Sequence, residues 1–358
     1  IDLMTYAENR ELREEAYRAY ISRASDIGIT PNEFDNRNIM NEILELRLEL
    51  SKLLGLSNYA EYSVQSKMVE SPKEVIQFLE NLVDLSLPQA KKELIDLEVF
   101  AGHTLMPWDL MFYSEKLKQK MFDFKKSDLK PFFPESCVLS GLFSTIQRLY
   151  SVTLTEIDEE CYHTDVRVIE IKDKMGSIGR IYLDVYAREN KRGGAWMSDF
   201  QGPYNDSLPV AFVVCNLNSP KGEKPALFDF DEIVTLFHEF GHALHVILSD
   251  VSYPFVSGTS VARDFVELPS QLFEHWLEVP EILQKFAVHY ETGQPISEQL
   301  IKKLHKAKNI DQGFSTVEYV ASAIVDLSFP EGSVPKDPLQ RQNEVLKNIG
   351  MPSAIDMR

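Results

Sequence analysis

The sequence predicts a mainly α-helical protein with one small β-sheet. Apolar residues recur at three- and four-residue steps over about 6–150 and again over about 228–327, which is the periodicity of amphipathic helices. Between these two stretches, apolar and polar residues largely alternate in short segments, which is typical of strands. We therefore expect a helical region over residues 1–152 and a second region over residues 153–358 that contains the sheet.

The first region is predicted to be a stack of helices. Ser71 and Met106 each precede a proline in a pattern that marks the start of a helix. Gly55 follows an apolar stripe and is expected to end that helix, because glycine adopts the left-handed conformation without strain. The stripe consists of Ile39, Ile43, Leu46, Leu50 and Leu53. A partner helix could cover such a stripe, but we expect it to face the protein core, which is the commoner arrangement.

The sheet is predicted from three segments of the second region. Residues 166–171 and 181–186 flank a Lys-Met-Gly-Ser turn and are expected to form a hairpin, while residues 210–214 are typical of a more buried strand. The acidic run 156–165 lacks the Asp-x-Asp-x-Asp-Gly order of a calcium loop, so we expect a solvated loop there.

Composition and charge exclude several classes of function. The 358-residue chain has 37 Lys and Arg against 55 Asp and Glu, a formal net charge of −18, so we expect no nucleic-acid partner. The longest apolar run, 208–215, contains a proline and is far shorter than the roughly 20 residues of a membrane span. The 3 cysteines are widely spaced without a Cys-x-x-Cys pair, which favours a reducing compartment, and we expect the cytoplasm.

Two histidines and a glutamate form the clearest chemical motif, His238-Glu239-x-x-His242. Residues four apart lie on one face of a helix, so both imidazoles can reach one zinc ion at about 2.0–2.1 Å. Glu239 lies at the edge of that face, where it can act on a water molecule without binding the metal. His245 shares the face but lies about 10 Å from His238 along the axis, so we expect a packing or supporting role. The alternative is a polar helix face that packs against another polar helix.

A catalytic zinc ion keeps three protein ligands, so the third must come from another segment. A helix predicted over 261–277 offers Asp264, Glu267 and Glu274, and Glu278 follows it. Apolar residues flank Glu267 on both sides, so we expect it to be the most buried of these acids and to need a cation. Glu274 lies two turns further along the same face and could accept the remaining N–H of a ligand histidine.

Three segments, 187–197, 233–245 and 258–276, contain motifs that resemble the thimet oligopeptidase and peptidyl-dipeptidase family of zinc metallopeptidases. The resemblance covers nearly the whole chain. It implies a zincin-like metallopeptidase with a helical body, a small β-sheet next to the active-site helix, and a deep channel. It also implies that residues 1–152 form one wall of that channel and that short, unfolded peptides are the substrates. We expect a monomer without a membrane partner.

The resemblance also implies the roles of individual residues. It places one zinc ion per chain on His238, His242 and Glu267, and it makes Glu239 the general base of a metal-activated hydrolysis of peptide bonds. Removal of Glu239 is therefore expected to leave the metal bound and to abolish turnover.

The substrate-binding residues implied by the resemblance are small. Gly193, Gly194 and Ala195 match a strand that pairs with the backbone of an extended peptide, and Gly258 matches a flexible loop beside the cleft. An ordinary role in turns is the alternative for these glycines.

The chain also departs from the family pattern. The family continues into a tyrosine-rich segment with a histidine that binds the oxyanion and the substrate, and no such segment occurs before Arg358. We therefore expect a truncated chain. A catalytically silent fragment that binds zinc or peptide is one alternative, and a helical scaffold with packed histidines is another.

The motifs lie closer to the peptidyl-dipeptidase branch, which removes dipeptides from a free C-terminus, than to the endopeptidase branch. Such an enzyme needs a cation or strong donors beyond the scissile bond, and Arg188, Lys191 or Arg192 could supply the cation. Ordinary surface charge is the alternative for these three residues.

Overall fold

The computed structural model describes residues 2–27, 34–122, 128–202, 207–330 and 334–352. Within these ranges the chain is mainly α-helical and carries one five-stranded mixed sheet, as the sequence predicts. No helix in the described ranges has both the length and the apolar composition that crossing a bilayer requires.

The helices and strands are numbered in chain order. The helices are α1 (Asp2–Tyr6), α2 (Arg10–Ile21), α3 (Arg37–Leu53), α4 (Tyr59–Val64), α5 (Pro72–Ala101), α6 (Pro107–Phe122), α7 (Glu135–Tyr150), α8 (Phe230–Ile247), α9 (Leu268–Glu274), α10 (Pro280–Phe286), α11 (Glu298–Lys308), α12 (Gln312–Ser328) and α13 (Pro338–Asn348). The strands are β1 (Thr153–Ile157), β2 (Arg167–Lys172), β3 (Ser177–Tyr186), β4 (Trp196–Gln201) and β5 (Val210–Leu217).

The chain divides into two compact units. A helical unit comprises Ile1–Asp123 and Lys306–Arg358, and a sheet unit comprises Phe124–His305. This division differs from the predicted boundary at residue 152. The difference arises because α7 belongs to the core of the sheet unit, whereas α12 packs along α5 in the helical unit.

The predicted helix ends in the helical unit are confirmed. Ser71 caps α5 by accepting a hydrogen bond from the Glu74 backbone N–H, and Pro72 fills the first helical position. Helix α6 begins at Pro107, directly after Met106. Gly55 follows α3 with a φ of +78°, a conformation that favours glycine.

The predicted burial of the α3 stripe is wrong. Its five apolar residues expose between 41% and 77% of their surface, and the buried residues of α3 are Leu44 and Ser51. Helices α4 and α13 contact α3, so the packed side of this helix is not its most apolar side. Periodicity identifies a face of a helix, but it does not determine which neighbour covers that face.

The sheet has the strand order β1-β2-β3-β5-β4. The predicted hairpin is confirmed as β2 and β3, which pair antiparallel, and the predicted buried strand is β5, which pairs parallel to β3. Strands β1 and β4 were not predicted. They lie at the two ends of the strand order and are largely exposed, so the alternation that marks a half-buried strand is weak in both. The acidic run begins within β1 and continues as the loop before β2.

Helix α8 is the central element of the sheet unit. Its N-terminus carries a capping box, in which the Asp229 carboxylate accepts from the Glu232 N–H at 2.9 Å and the Glu232 carboxylate accepts from the Asp229 N–H at 2.8 Å. Its apolar residues form part of one core with α7, α10 and the inner face of the sheet. The polar residues of α8 are therefore held by a helix with fixed ends and a fixed core-facing side.

A glycine sets the distance between α8 and α9. A Cβ atom built on Gly241 would lie 2.5 Å from the Cα atom of Ser270, which is a backbone atom at the start of α9 and cannot rotate away. The two helices can therefore pack this closely only because residue 241 has no side chain.

Substitution of Gly241 by alanine tests this contact. Alanine would favour the helical state of α8 by about 1 kcal/mol, but the clash with Ser270 outweighs that gain. We expect the free energy of unfolding to fall by about 1–3 kcal/mol, measured by urea denaturation. Gly202→Ala is the control, because among the described residues its Cβ would meet Ser257 Oγ alone, at an ordinary contact distance of 3.7 Å. A Gly241→Ala protein as stable as the parent would show that the helices are not tightly apposed.

Candidate metal centre

Three predicted metal ligands converge at the junction of α8 and α9. The Nε2 atoms of His238 and His242 lie 3.2 Å and 3.0 Å from Oε2 of Glu267. The two imidazole rings are 4.8 Å apart between centroids and nearly perpendicular, at 85°. One potential ligand atom from each of the three residues lies within 4.8 Å of the others. The third candidate donor, Glu267, thus comes from the segment between α8 and α9.

The donor set fits a zinc ion. Bonds of about 2.0–2.1 Å in a tetrahedral arrangement place neighbouring ligand atoms about 3.3 Å apart. The distances from Glu267 Oε2 to the two Nε2 atoms, 3.0 Å and 3.2 Å, are within a few tenths of an ångström of that spacing. Two imidazoles and one carboxylate are also the ligand types that zinc and several other divalent metals accept. The three side chains could therefore hold a metal ion with small adjustments.

The predicted burial of Glu267 is wrong, although its position beside the histidines agrees with the ligand set. Its side chain is 52% exposed. The predicted continuous helix over 261–277 is instead a series of turns, the short helix α9 and a 3₁₀ turn over His275–Glu278, and Glu267 immediately precedes α9. Its apolar sequence neighbour Leu268 is also exposed, so the apolar run does not enclose the carboxylate.

The Glu267 carboxylate is held in place by α9. The Ser270 hydroxyl, which is buried, lies 2.9 Å from the Glu267 backbone carbonyl and 3.2 Å from its Oε2 atom, and it can donate to either. Sequence reasoning did not identify Ser270, because a serine three residues after an acid is too common to be a signal.

Glu274 contacts the first histidine. Its Oε1 atom lies 2.7 Å from Nδ1 of His238, on the opposite side of the ring from Nε2. An N–H at Nδ1 that donates to a carboxylate fixes the ring orientation and leaves the Nε2 lone pair directed towards the Glu267 side. The structure thus places Glu274 where it would support His238 as a ligand.

His242 and His245 differ from His238 in their surroundings. Burial lowers the pKa of His242, while the nearby Glu267 carboxylate opposes that effect. The Nδ1 atom of His242 is buried and has no hydrogen-bond partner in the described part of the chain. His245 packs edge-on against Phe265, with 6.4 Å between ring centroids, and it does not belong to the ligand group.

Glu239 lies on α8 between His238 and His242 and is 6% exposed. Burial raises the pKa of its carboxyl group above the ordinary value; His238 and a hydrogen bond from the Met197 backbone N–H partly oppose this rise, and Glu267 adds to it. A carboxylate with a raised pKa is a stronger proton acceptor than an exposed one. Glu239 therefore has the environment expected of a general base.

The structure corrects one part of the prediction for Gly193, Gly194 and Ala195, which is that they form a strand. These residues do not belong to a strand; they form the bend that leads into β4. Gly194 has a φ of +93°, and the Asn216 side-chain amide donates to its carbonyl oxygen at 2.7 Å. Strand β4, not the glycine segment, carries the Met197 N–H that faces Glu239.

Gly258 has a structural explanation that does not involve a substrate. Its φ is +54°, and an added Cβ would lie 3.0 Å from the Cα atom of Val246 on α8. Its backbone N–H donates to the Ser249 hydroxyl at 3.0 Å. The glycine allows the loop after α8 to fold back onto that helix, and its predicted role beside the cleft stays a prediction.

Comparison with known proteins gives a consistent result. The sequence matches the model of peptidase family M3 over residues 3–349. It is 47% identical to oligopeptidase A of Escherichia coli strain K12, over 86% of this chain and 47% of that protein. It is 33% identical to dipeptidyl carboxypeptidase of the same strain, over 96% of this chain and 53% of that protein. A probable cytosolic oligopeptidase A of Arabidopsis thaliana is 38% identical, over 91% and 49%. The chain spans about half the length of these relatives.

Replacement of a single ligand tests the metal centre. We expect the parent protein to carry about one zinc ion per chain and His242→Ala to lose it, because two donors do not hold zinc tightly. His245→Ala removes a histidine one turn further along α8 and should retain the metal. Elemental analysis after dialysis measures all three proteins. Equal zinc contents in His242→Ala and the parent would contradict the ligand assignment.

The contact between Glu274 and His238 predicts a second effect. Glu274→Gln keeps the size of the side chain but removes the charge that holds the Nδ1 proton, so we expect zinc affinity to fall by about 10–100-fold. Competition with a chromophoric chelator measures the dissociation constant. An unchanged constant would show that Glu274 does not support the ligand.

Proposed function

The chain belongs to peptidase family M3, and we propose that it hydrolyses peptide bonds in short oligopeptides with one zinc ion. The observation that carries the proposal is the convergence of His238 and His242 on Glu267 within 3.0–3.2 Å, with the buried Glu239 beside them. The two buried members of this group, Glu239 and His242, need compensation for their lost hydration, which a metal ion beside them would supply.

The metal and the base have separate tasks in this proposal. His238, His242 and Glu267 would hold the zinc ion, which would supply a Lewis acid for the scissile carbonyl and for a water molecule. Glu239 accepts a proton from that water as its oxygen attacks the carbonyl carbon. It then donates the proton to the peptide nitrogen as the C–N bond breaks, so that one water is consumed and a carboxyl group and an amine are released.

Strand β4 is the proposed docking edge for the peptide. Within the described residues it pairs only with β5, and residues 198–201 are exposed. In an antiparallel strand, the N–H and the C=O of one residue point to the same side. The Met197 N–H acts on Glu239. We therefore expect both backbone groups of Met197 to point away from β5. An extended peptide that adds to this edge would lie beside the base.

The compartment proposed for this chain is reducing, as in the cytoplasm. Cys137, Cys161 and Cys215 are all free thiols in the structure, and Cys215 is buried in the sheet core. Burial raises the pKa of the Cys215 thiol to about 12, which keeps it in the unreactive protonated form.

Substitution of the base tests the proposed reaction. We expect Glu239→Gln to retain zinc and to lower kcat by about 10²–10⁴-fold, since glutamine cannot accept the proton. The measurement is cleavage of an internally quenched peptide, with zinc content determined on the same samples. Asp231→Asn is the control, because this exposed acid lies at the start of the same helix.

Two outcomes would contradict the proposal. Parent-like cleavage by a zinc-loaded Glu239→Gln protein would remove Glu239 from the reaction. Zinc and peptide binding without turnover in the parent protein would instead indicate a binding protein.

A further inference from the structure

We propose that the exposed apolar stripe of α3 is a dimerisation surface, which a second copy of this chain covers by forming a parallel two-stranded coiled coil. The stripe, named the α3 seam from here on, consists of Ile39, Ile43, Leu46, Leu50 and Leu53. Dimerisation is separate from the proposed reaction and does not depend on it. Such a dimer differs from the monomer expected from the sequence.

The spacing of the α3 seam is that of a coiled coil. Its residues follow one another at steps of four, three, four and three, so they occupy alternate d and a positions of a heptad. Ile43 falls on an a position, and Leu46 and Leu53 fall on d positions, which is the arrangement that favours parallel dimers. Ile39 and Leu50 occupy the reverse positions, but both are large and apolar.

The helical unit packs on the other side of α3. The residues of the α3 seam are 41–77% exposed, whereas Leu44 and Ser51 are buried. These two buried residues occupy b positions, which at 100° per residue lie about 130° around the axis from the middle of the seam. Helices α4 and α13 contact α3, and the exposure of the seam shows that neither of them covers it.

Helix α3 is already formed before a second copy binds. A free helix of its length, 17 residues or about 25 Å, is only marginally stable in water. Here the buried Leu44 and Ser51 hold the helix against the unit, and the Ser51 hydroxyl donates to the Arg47 carbonyl oxygen at 2.8 Å. Association therefore does not have to supply the cost of forming the helix, so a short seam can be enough.

The charges beside the α3 seam favour a parallel partner. Glu42 and Glu49 occupy g positions, Arg47 occupies an e position, and all three are exposed. In a parallel pair, a g residue faces the e residue five positions further along the other helix. Glu42 therefore meets Arg47 of the second copy, and the two-fold axis repeats this contact. Glu49 meets Leu54, which is uncharged.

An antiparallel pair would bring like charges together. With the two Leu46 residues opposed at its centre, g residues face g residues and e residues face e residues. Glu42 would then meet Glu49 of the second copy, and the two Arg47 side chains would meet each other. Like charges in an interface are unfavourable, so the same three residues that stabilise the parallel pair oppose the antiparallel one.

The three charges are available to a second copy. None of the ion pairs in the described part of the chain includes Glu42, Arg47 or Glu49. The Arg47 guanidinium lies over the Tyr59 ring, 4.8 Å from its centroid. This cation–π contact restrains the side chain without neutralising its charge.

Replacement of the central seam residue tests the dimer. We expect sedimentation equilibrium of the parent protein at several concentrations to show a reversible monomer–dimer equilibrium. Leu46→Gln should raise the dissociation constant by more than about tenfold, because it removes the apolar contact between the two central residues. Leu85→Gln is the matched control and should keep the parent value, since Leu85 is 79% exposed on α5 of the same unit. Circular dichroism and urea denaturation establish that each variant is folded.

An exchange of charges tests the direction of the pair. Glu42→Arg and Arg47→Glu each place like charges opposite one another in a parallel dimer, so each variant alone should associate about tenfold more weakly. A mixture of the two variants restores both contacts between opposite charges, and we expect heterodimers to form with the parent affinity. Fluorescence-detected sedimentation of one labelled variant with an excess of the other measures this affinity.

Three outcomes would overturn the proposal. A parent protein that stays monomeric rejects a second copy and leaves a helix of a different protein as the occupant of the α3 seam. An equal dissociation constant for Leu46→Gln and the parent places the dimer contact elsewhere. Stronger association of Glu42→Arg alone indicates an antiparallel pair, because the new cation would then face Glu49 of the second copy.

Discussion

The close approach of α8 and α9 is the contact on which the rest of the candidate site depends. Helix α8 carries both histidines, but the carboxylates that complete the site, Glu267 and Glu274, lie at the two ends of α9. With an added Cβ only 2.5 Å from Ser270, Gly241 leaves no room between the helices. A separation larger by one methyl group would move the Glu267 oxygen out of range of the Nε2 atoms, since a metal ligand must lie within a few tenths of an ångström of its position.

The charges of the site favour a cation. Glu239, Glu267 and Glu274 surround two imidazoles, and burial lowers the pKa of one of them, His242, which disfavours its charged form. Glu267 also raises the pKa of Glu239, which is the electrostatic effect of one carboxylate on another. A divalent cation between them would offset this repulsion, which gives an electrostatic reason, separate from the ligand distances, for a metal at this position.

Local and non-local features of the site differ in how well the sequence predicts them. The histidine pair follows from helix geometry, which repeats every few residues. The sequence argument for Glu267 was burial, yet its side chain is half exposed, and the packing of α9 brings it beside the two histidines. Strand β4 and Asn216 left no local signal, because an exposed edge strand lacks alternation and the Asn216 contacts join residues more than 20 apart in sequence. The α3 stripe shows the reverse case, because its apolar pattern is strong but its residues are exposed.

The edge strand β4 packs directly against α8, the helix that carries the candidate ligands. The Met197 N–H opposes the rise in the pKa of Glu239, so the strand that would align a peptide also adjusts the base that would act on it. A shift of β4 along β5 would therefore move the proposed docking edge and change the surroundings of Glu239 at the same time. The bend held by Asn216 and Lys191 precedes this strand directly, so contacts that carry no chemistry hold the start of the strand that runs beside helix α8.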